Sequence, residues 1–147
     1  MHMITKKITW VTLRLFMSGM FLWPFFDKVF GLGFATNSAD AWINGASPTA
    51  GFLSFGTRGP FADFFQSMVG LGFYGVNIID WLFMLGILGT GLTLLFNRFV
   101  VWGALAGSLI MLFIYMAAFP PEHSPLLDDH LLQILALVLL AQRSKER

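Results

Sequence analysis

The 147-residue sequence has no cysteine. That excludes disulfides, a thiol nucleophile, cysteine-held iron–sulfur clusters and covalent c-type haem. Charge is scarce as well. Only 12% of the residues are Asp, Glu, Lys or Arg, about half the share typical of soluble domains. The formal net charge of +1 provides no basic surface for neutralising phosphates, so no nucleic-acid partner is expected. The three histidines are His2, His123 and His130, and they cannot face one another from two helices as a bis-histidine haem b requires. Glu122, His123, Asp128 and His130 carry suitable nitrogen and oxygen donors, but their spacing matches no defined metal motif, and no metal is expected.

What is abundant is apolar bulk. Hydrophobic residues make up 56% of the chain, with 17 Phe, 5 Trp and 8 Met; so large an apolar content points to a lipid solvent. A hydrocarbon core about 30 Å thick is crossed by about 20 apolar helical residues. Four segments qualify: 10–30, 78–96, 99–119 and 126–142. The sequence therefore predicts an all-α integral membrane protein, one domain folded as a four-helix bundle. Asn97-Arg98 leaves only a tight turn between the second and third spans, so they should form an antiparallel hairpin. Ser124-Pro125 supplies an N-cap and first-turn proline for the last span. A secretory signal peptide is the competing reading of the N-terminus. Arg14 interrupts its apolar region, and no small-residue cleavage site follows Trp23-Pro24-Phe25-Phe26, so a true span is expected there.

The two signs of charge largely segregate, with Lys28, Arg58 and Glu146 as the exceptions. Lys6, Lys7, Arg14, Arg98, Arg143, Lys145 and Arg147 fall on the side of the termini and the tight turn, which places both termini in the cytoplasm of a multi-pass protein of the cytoplasmic membrane. Asp27, Asp40, Asp63, Asp80, Glu122, Asp128 and Asp129 fall on the other side. The outer loop, 33–77, is too long to be featureless. Gly59-Pro60 can start a helix ending at Gly70, in which Phe61, Phe64, Phe65, Met68 and Val69 share one face and Asp63, Gln66 and Ser67 the other; such a helix suits the outer face of the bundle or the lipid interface. A second short helix is expected from Ala39 to Gly45.

Ionisable groups beside lipid are costly and need an explanation. Arg14 can snorkel to the inner interface. Lys28, fourteen residues later at about 100° per residue, returns to within about 40° of it, so the two share a face. At the outer end, Asp27, Lys28, Asp80, Asp128, Asp129 and His130 should lie at one depth. Carboxylates favour helix N-termini on electrostatic grounds alone. The adjacency of Asp128, Asp129 and His130, with Gln133 one turn inward, also fits a proton path or a site for a polar ligand. Gly103 and Gly107 form a close-packing motif with Gly86, Gly89 and Gly91 opposite; this suits helix contact and allows, without requiring, a homo-oligomer. Phe21, Trp23, Phe25, Phe26 and Phe30 suit an aromatic interface belt or the walls of a quinone site.

Several blocks resemble a known family. Leu13-Arg14-Leu15, Leu22-Trp23, Phe26-Asp27-Lys28 and Gly31-Leu32-Gly33-Phe34-Ala35-Thr36 look like the opening of the DoxX/DoxD family of small four-helix membrane proteins. Trp42-Ile43-Asn44-Gly45, Ser47-Pro48-Thr49, Gly59-Pro60-Phe61, Asp80-Trp81-Leu82-Phe83-Met84 and Pro125-Leu126-Leu127-Asp128-Asp129-His130 are similar to the DoxD branch, in the same order. The resemblance implies a subunit of a thiosulfate:quinone oxidoreductase, with a membrane quinone as electron acceptor and a second subunit as a partner. It carries over signature positions only: Arg14, Asp27, Lys28, Asp80, Asp128, Asp129 and His130. On this reading Asp129 and His130, with Asp128, handle quinone protons, while Arg58 and Lys28, with Asp27, Arg14 and Asp80, are the substrate-binding candidates. The contrasting expectation is a membrane scaffold for a redox or stress-defence complex. Transport is disfavoured, because the middle spans carry little polarity beyond Thr90, Thr93 and Ser108.

Overall fold

The computed structural model describes residues 2–121, 124 and 128–145, with side chains from residue 7 onward. The first helix, α1, runs His2–Phe30 and so starts well before the expected apolar run. The apolar run sets only where a span could begin, whereas the helix continues because Thr5 to Thr9 contain no breaker. Gly31 ends it at φ +63°, with its N–H on the Asp27 carbonyl at 2.8 Å. A Cβ there would lie 2.6 Å from the Asn37 oxygen, so both the left-handed turn and the close return of the chain need glycine.

The outer loop is a string of short elements. The helix expected over 39–45 is two 3₁₀ turns, Ser38–Asp40 and Trp42–Asn44, split at extended Ala41 and closed by Gly45 at φ +88°. A π-helical turn, Phe52–Gly56, follows. The helix expected from 60 to 70 is shorter: a 3₁₀ turn Gly59–Phe61 leads into α2, Ala62–Gln66. Of its apolar face, Phe65 is buried and Met68 packs beside it against Leu53 and Ala117, while Phe61, Phe64 and Val69 stay exposed. Tertiary packing supports one turn of this helix and leaves the rest without a surface to rest on. A hairpin that the periodicity does not announce comes next. Its strands β1, Gly72–Phe73, and β2, Val76–Asn77, are antiparallel. They turn through Tyr74 and Gly75, both at positive φ.

Helix α3, Ile78–Phe96, has the expected bounds. The Asn77 side chain caps it by accepting the Ile79 N–H at 3.0 Å, and Asn97 closes it in the left-handed region. Helix α4 is Val100–Ala117. Helix α5 is Asp129–Lys145, 17 residues. The proposed start at Leu126 and its Pro125 lie outside the described residues, and the far end extends three residues past 142. Helices α1, α3 and α4 are long and apolar enough to cross a membrane, over Lys7–Phe30, Ile78–Phe96 and Val100–Ala117. Helix α5, at about 25 Å, is shorter.

The long helices are arranged in a ring: α1 on α3, α3 on α4, α4 on α5, with α5 returning beside α1. Met17, Phe21, Met84, Leu94 and Leu137 fill the centre. The glycine motif of α4 is used within the chain. A Cβ on Gly103 would fall 1.8 Å from Thr93 Oγ1, and one on Gly107 2.7 Å from Thr90 Cγ2. The close approach is stitched by Thr90 Oγ1 donating to the Gly103 carbonyl at 3.2 Å, and α1 is tied to α3 by Ser18 Oγ donating to the Gly91 carbonyl at 2.8 Å. The outside is the apolar surface: Phe16, Leu82, Trp102, Leu109, Phe113 and Leu132 are all exposed.

Candidate functional site

The outer end of the bundle holds two buried carboxylates, both bound by the outer loop. Asp27, on the last turn of α1, is 1% exposed. Its oxygens accept the amides of Phe34 at 3.2 Å and Ala35 at 3.0 Å. The Gly31 and Gly33 turns make this possible, folding the chain back over the helix end. Asp80, on the first turn of α3, is 4% exposed. One oxygen accepts Ser47 Oγ at 2.8 Å, Thr49 Oγ1 at 2.5 Å and the Thr49 amide at 3.2 Å. Trp42 meets Trp81 edge to face at 4.8 Å beside this latch. Lys28 is half-buried, within electrostatic reach of both Asp27 and Asp80. The three signature residues are thus brought together, as two acids and one base. Each acid binds a different part of the outer loop.

Residues 128–130 form a separate group. Asp128 Oδ1 accepts the His130 N–H at 2.8 Å and so caps α5. The same oxygen lies 2.7 Å from His130 Nδ1. The imidazole is therefore oriented by a carboxylate, with Nε2 left to exchange protons. Asp129 is exposed. Among the described residues no hydrogen bond or ion pair joins this group to Asp27, Lys28 or Asp80. Glu122 and His123, the other members of the weighed metal set, lie outside the described residues.

The remaining two cations each serve a helix end. Arg58 donates its backbone N–H to the Ala117 carbonyl at 2.8 Å and Nε to the Ala118 carbonyl at 3.1 Å, closing the C-terminus of α4 with an exposed guanidinium. Arg14 is at the opposite end of the bundle. Its Nη1 donates to the carbonyls of Leu94 and, at 2.9 Å, Leu95, the last turn of α3. Its partner is thus a neighbouring helix. Arg14 and Lys28 do share the face of α1 turned to α3, one at each end. Arg14 also lines a small cavity with Trp10, Asn97 and Arg143, which collects the start of α1, the α3–α4 turn and the end of α5 at the basic end.

Ser47 and Thr49, which hold Asp80, and Thr36, which hydrogen-bonds Asp27, were not legible as partners of the acids from spacing alone. The available signal was the cluster of small hydroxyl residues in a loop opposite two carboxylates at the ends of apolar helices, since buried acids need donors. Aromatic rings surround the outer end: Trp23 meets Phe34 at 4.9 Å edge to face, and Phe26 stacks on Phe30 at 6.4 Å. No family model, curated protein or solved structure matches the chain.

Proposed function

We propose that the chain is an integral membrane subunit of a quinone-linked oxidoreductase, with α1, α3, α4 and α5 in the bilayer and the outer loop on the non-cytoplasmic side. The membrane part is supported by the apolar exterior and by the two oppositely charged ends. The redox part rests on the resemblance to the DoxD branch and on one observation, the 2.7 Å pair of His130 and Asp128 at the end of α5. With thiosulfate as donor the balance is two thiosulfates plus one quinone and two protons, giving one tetrathionate and one quinol. No group of this chain changes oxidation state. His130 delivers protons to the reduced quinone through Nε2 while Asp128 stabilises the imidazolium. Asp129 is the exposed acid that refills it.

Arg58 is the better-placed cation for the anionic donor. Lys28 sits beside two buried carboxylates, whose field opposes a dianion. The rings of Trp23, Phe26 and Phe30, exposed on the outer half of α1, suit a quinone head group.

A second reading is favoured by a specific observation. Asp27 and Asp80 each accept several loop donors, which makes the outer loop a fixed plate suited to holding a partner subunit. The deciding experiment is thiosulfate-dependent reduction of a short-chain quinone by the purified chain in detergent, with tetrathionate measured as product. Turnover that His130→Ala abolishes supports the enzyme. Turnover that survives both His130→Ala and Asp129→Ala removes these residues from the chemistry. A folded preparation with no turnover favours the scaffold, and its partner is then sought by pull-down.

A further inference from the structure

A groove of about 230 Å³ runs along the outside of the bundle between α4 and α5. One wall is Val101, Ala104, Leu105 and Ser108 of α4, spaced i, i+3, i+4, i+7. The other is Val138, Ala141, Gln142 and Lys145 of α5, with the same spacing. Each wall is therefore a single helical face. The small side chains Ala104, Ser108 and Ala141 set the hollow between the larger ones. Because the helices are antiparallel, Val101 and Lys145 share one end of the groove, the one on the basic side of the bundle, and the groove runs from there about 10 Å to Ser108 and Val138.

Its polarity is graded. Lys145 and Gln142 are exposed near the basic end, Ser108 is half-buried further in, and the rest of the lining is apolar. None of these three side chains has a hydrogen-bond partner among the described residues. The site asks for a ligand with an apolar tail and an acidic head, the tail along the walls and the head against Lys145. It lies at the opposite end from His130 and the aromatic rings, so it does not overlap the proposed quinone position.

We infer that the α4–α5 groove is a binding site for an acidic phospholipid of the inner leaflet. This rests on the membrane reading above, though not on the redox one. Charge complementarity selects the occupant. That end of the groove lies on the side where Lys7 and Arg98 are exposed and where Arg14 and Arg143 line a common cavity with Asn97, and basic pockets between spans on that side hold anionic head groups.

The test is native mass spectrometry of the full chain released from detergent, titrated with phosphatidylglycerol and with phosphatidylcholine of the same acyl chains. Phosphatidylglycerol should be retained about fivefold better, the preference one cation provides at such a surface. Lys145→Glu, at an exposed position, should erase that preference with the helical circular dichroism unchanged. Arg98→Glu, at the same end but outside the groove, should keep it. Equal retention of the two lipids overturns the site, as does loss of preference in Arg98→Glu alone. Stronger retention of a short-chain quinone than of either lipid overturns it in favour of a quinone groove. Release of the chain from membranes by alkaline carbonate without detergent would overturn the membrane reading itself, whereas detergent-dependent extraction without lipid preference overturns only the groove.

Discussion

Asp80, on the first turn of α3, holds Thr49 of the outer loop twice, through its hydroxyl at 2.5 Å and its amide at 3.2 Å. A carboxylate at a helix N-terminus is favoured by the helix dipole, but this one is buried and also accepts Ser47. Its charge is compensated by three donors and by Lys28 nearby. The acid is thus a fastener between the outer loop and the bundle.

Asp80→Ala should accordingly destabilise the protein by about 3 kcal/mol, the cost of leaving buried donors without a charged acceptor. The outer loop should open first. Limited proteolysis within 47–58, at a detergent concentration that keeps the helices folded, checks this. Unchanged cleavage would show that the latch is dispensable. Asp80→Asn should cost less, since all three donors meet one oxygen that the asparagine carbonyl can replace, leaving the lost charge beside Lys28 as the main deficit.

Arg14 ties the first and third helices together at the basic end. Two carbonyls of the last turn of α3 accept from one guanidinium nitrogen. Arg14→Leu should cost about 2 kcal/mol, in the range of a hydrogen bond to a charged group. Arg14→Lys should recover only part of this, because a lysine lacks the planar fork. Thermal unfolding in detergent measures both. Full recovery by lysine would mean that Arg14 merely reaches the aqueous interface.

Gly103 sets the α3–α4 distance. Gly103→Ala should destabilise by about 1–3 kcal/mol through overpacking, since the new Cβ would meet Thr93 Oγ1 at 1.8 Å. Adding Thr93→Ala should restore a good part of the loss, giving a favourable coupling in a double-mutant cycle. The apparent mass in detergent should not change in either variant, because the glycine face is filled by this chain's own α3. A change of oligomeric state would place that face between chains.

Asp128 has two functions that mutation can separate. Asp128→Asn should keep the cap of α5 and cost little stability, while Asp128→Ala should cost about 1 kcal/mol. Both should lower thiosulfate-dependent quinone reduction, and His130→Ala should lower it about 10²-fold or more if the imidazole transfers the proton. Steady-state rates on folded variants test the point. Equal activity in wild type and Asp128→Asn would reduce Asp128 to a cap.

The helix ends show how local signals fared. The bounds of α3 follow from neighbours in sequence: Asn77 supplies a side-chain cap and Asn97 a left-handed stop. Gly31 and Gly45 likewise end their segments through their own backbone freedom. By contrast, the apolar face of 61–69 correctly marked Phe65 and Met68 as a packing pair. It could not show that Phe61, Phe64 and Val69 would find nothing to pack on. The β1–β2 hairpin escaped because two-residue strands carry no readable period.

Chain chemistry alone thus determined the helical class, the long apolar segments, the tight turn at Asn97-Arg98 and the segregation of charge, because each depends on residues within a few positions of one another. Which carboxylate meets which partner was decided by tertiary structure. Asp27 reaches the loop seven and eight residues on, Asp80 reaches back 31 residues to Thr49, and Arg14 reaches 80 forward to Leu94. A buried charge must find compensation somewhere, and that demand is legible in the sequence. Its location depends on how four helices stand beside one another, which the close approach at Gly103 and Gly107 sets in three dimensions.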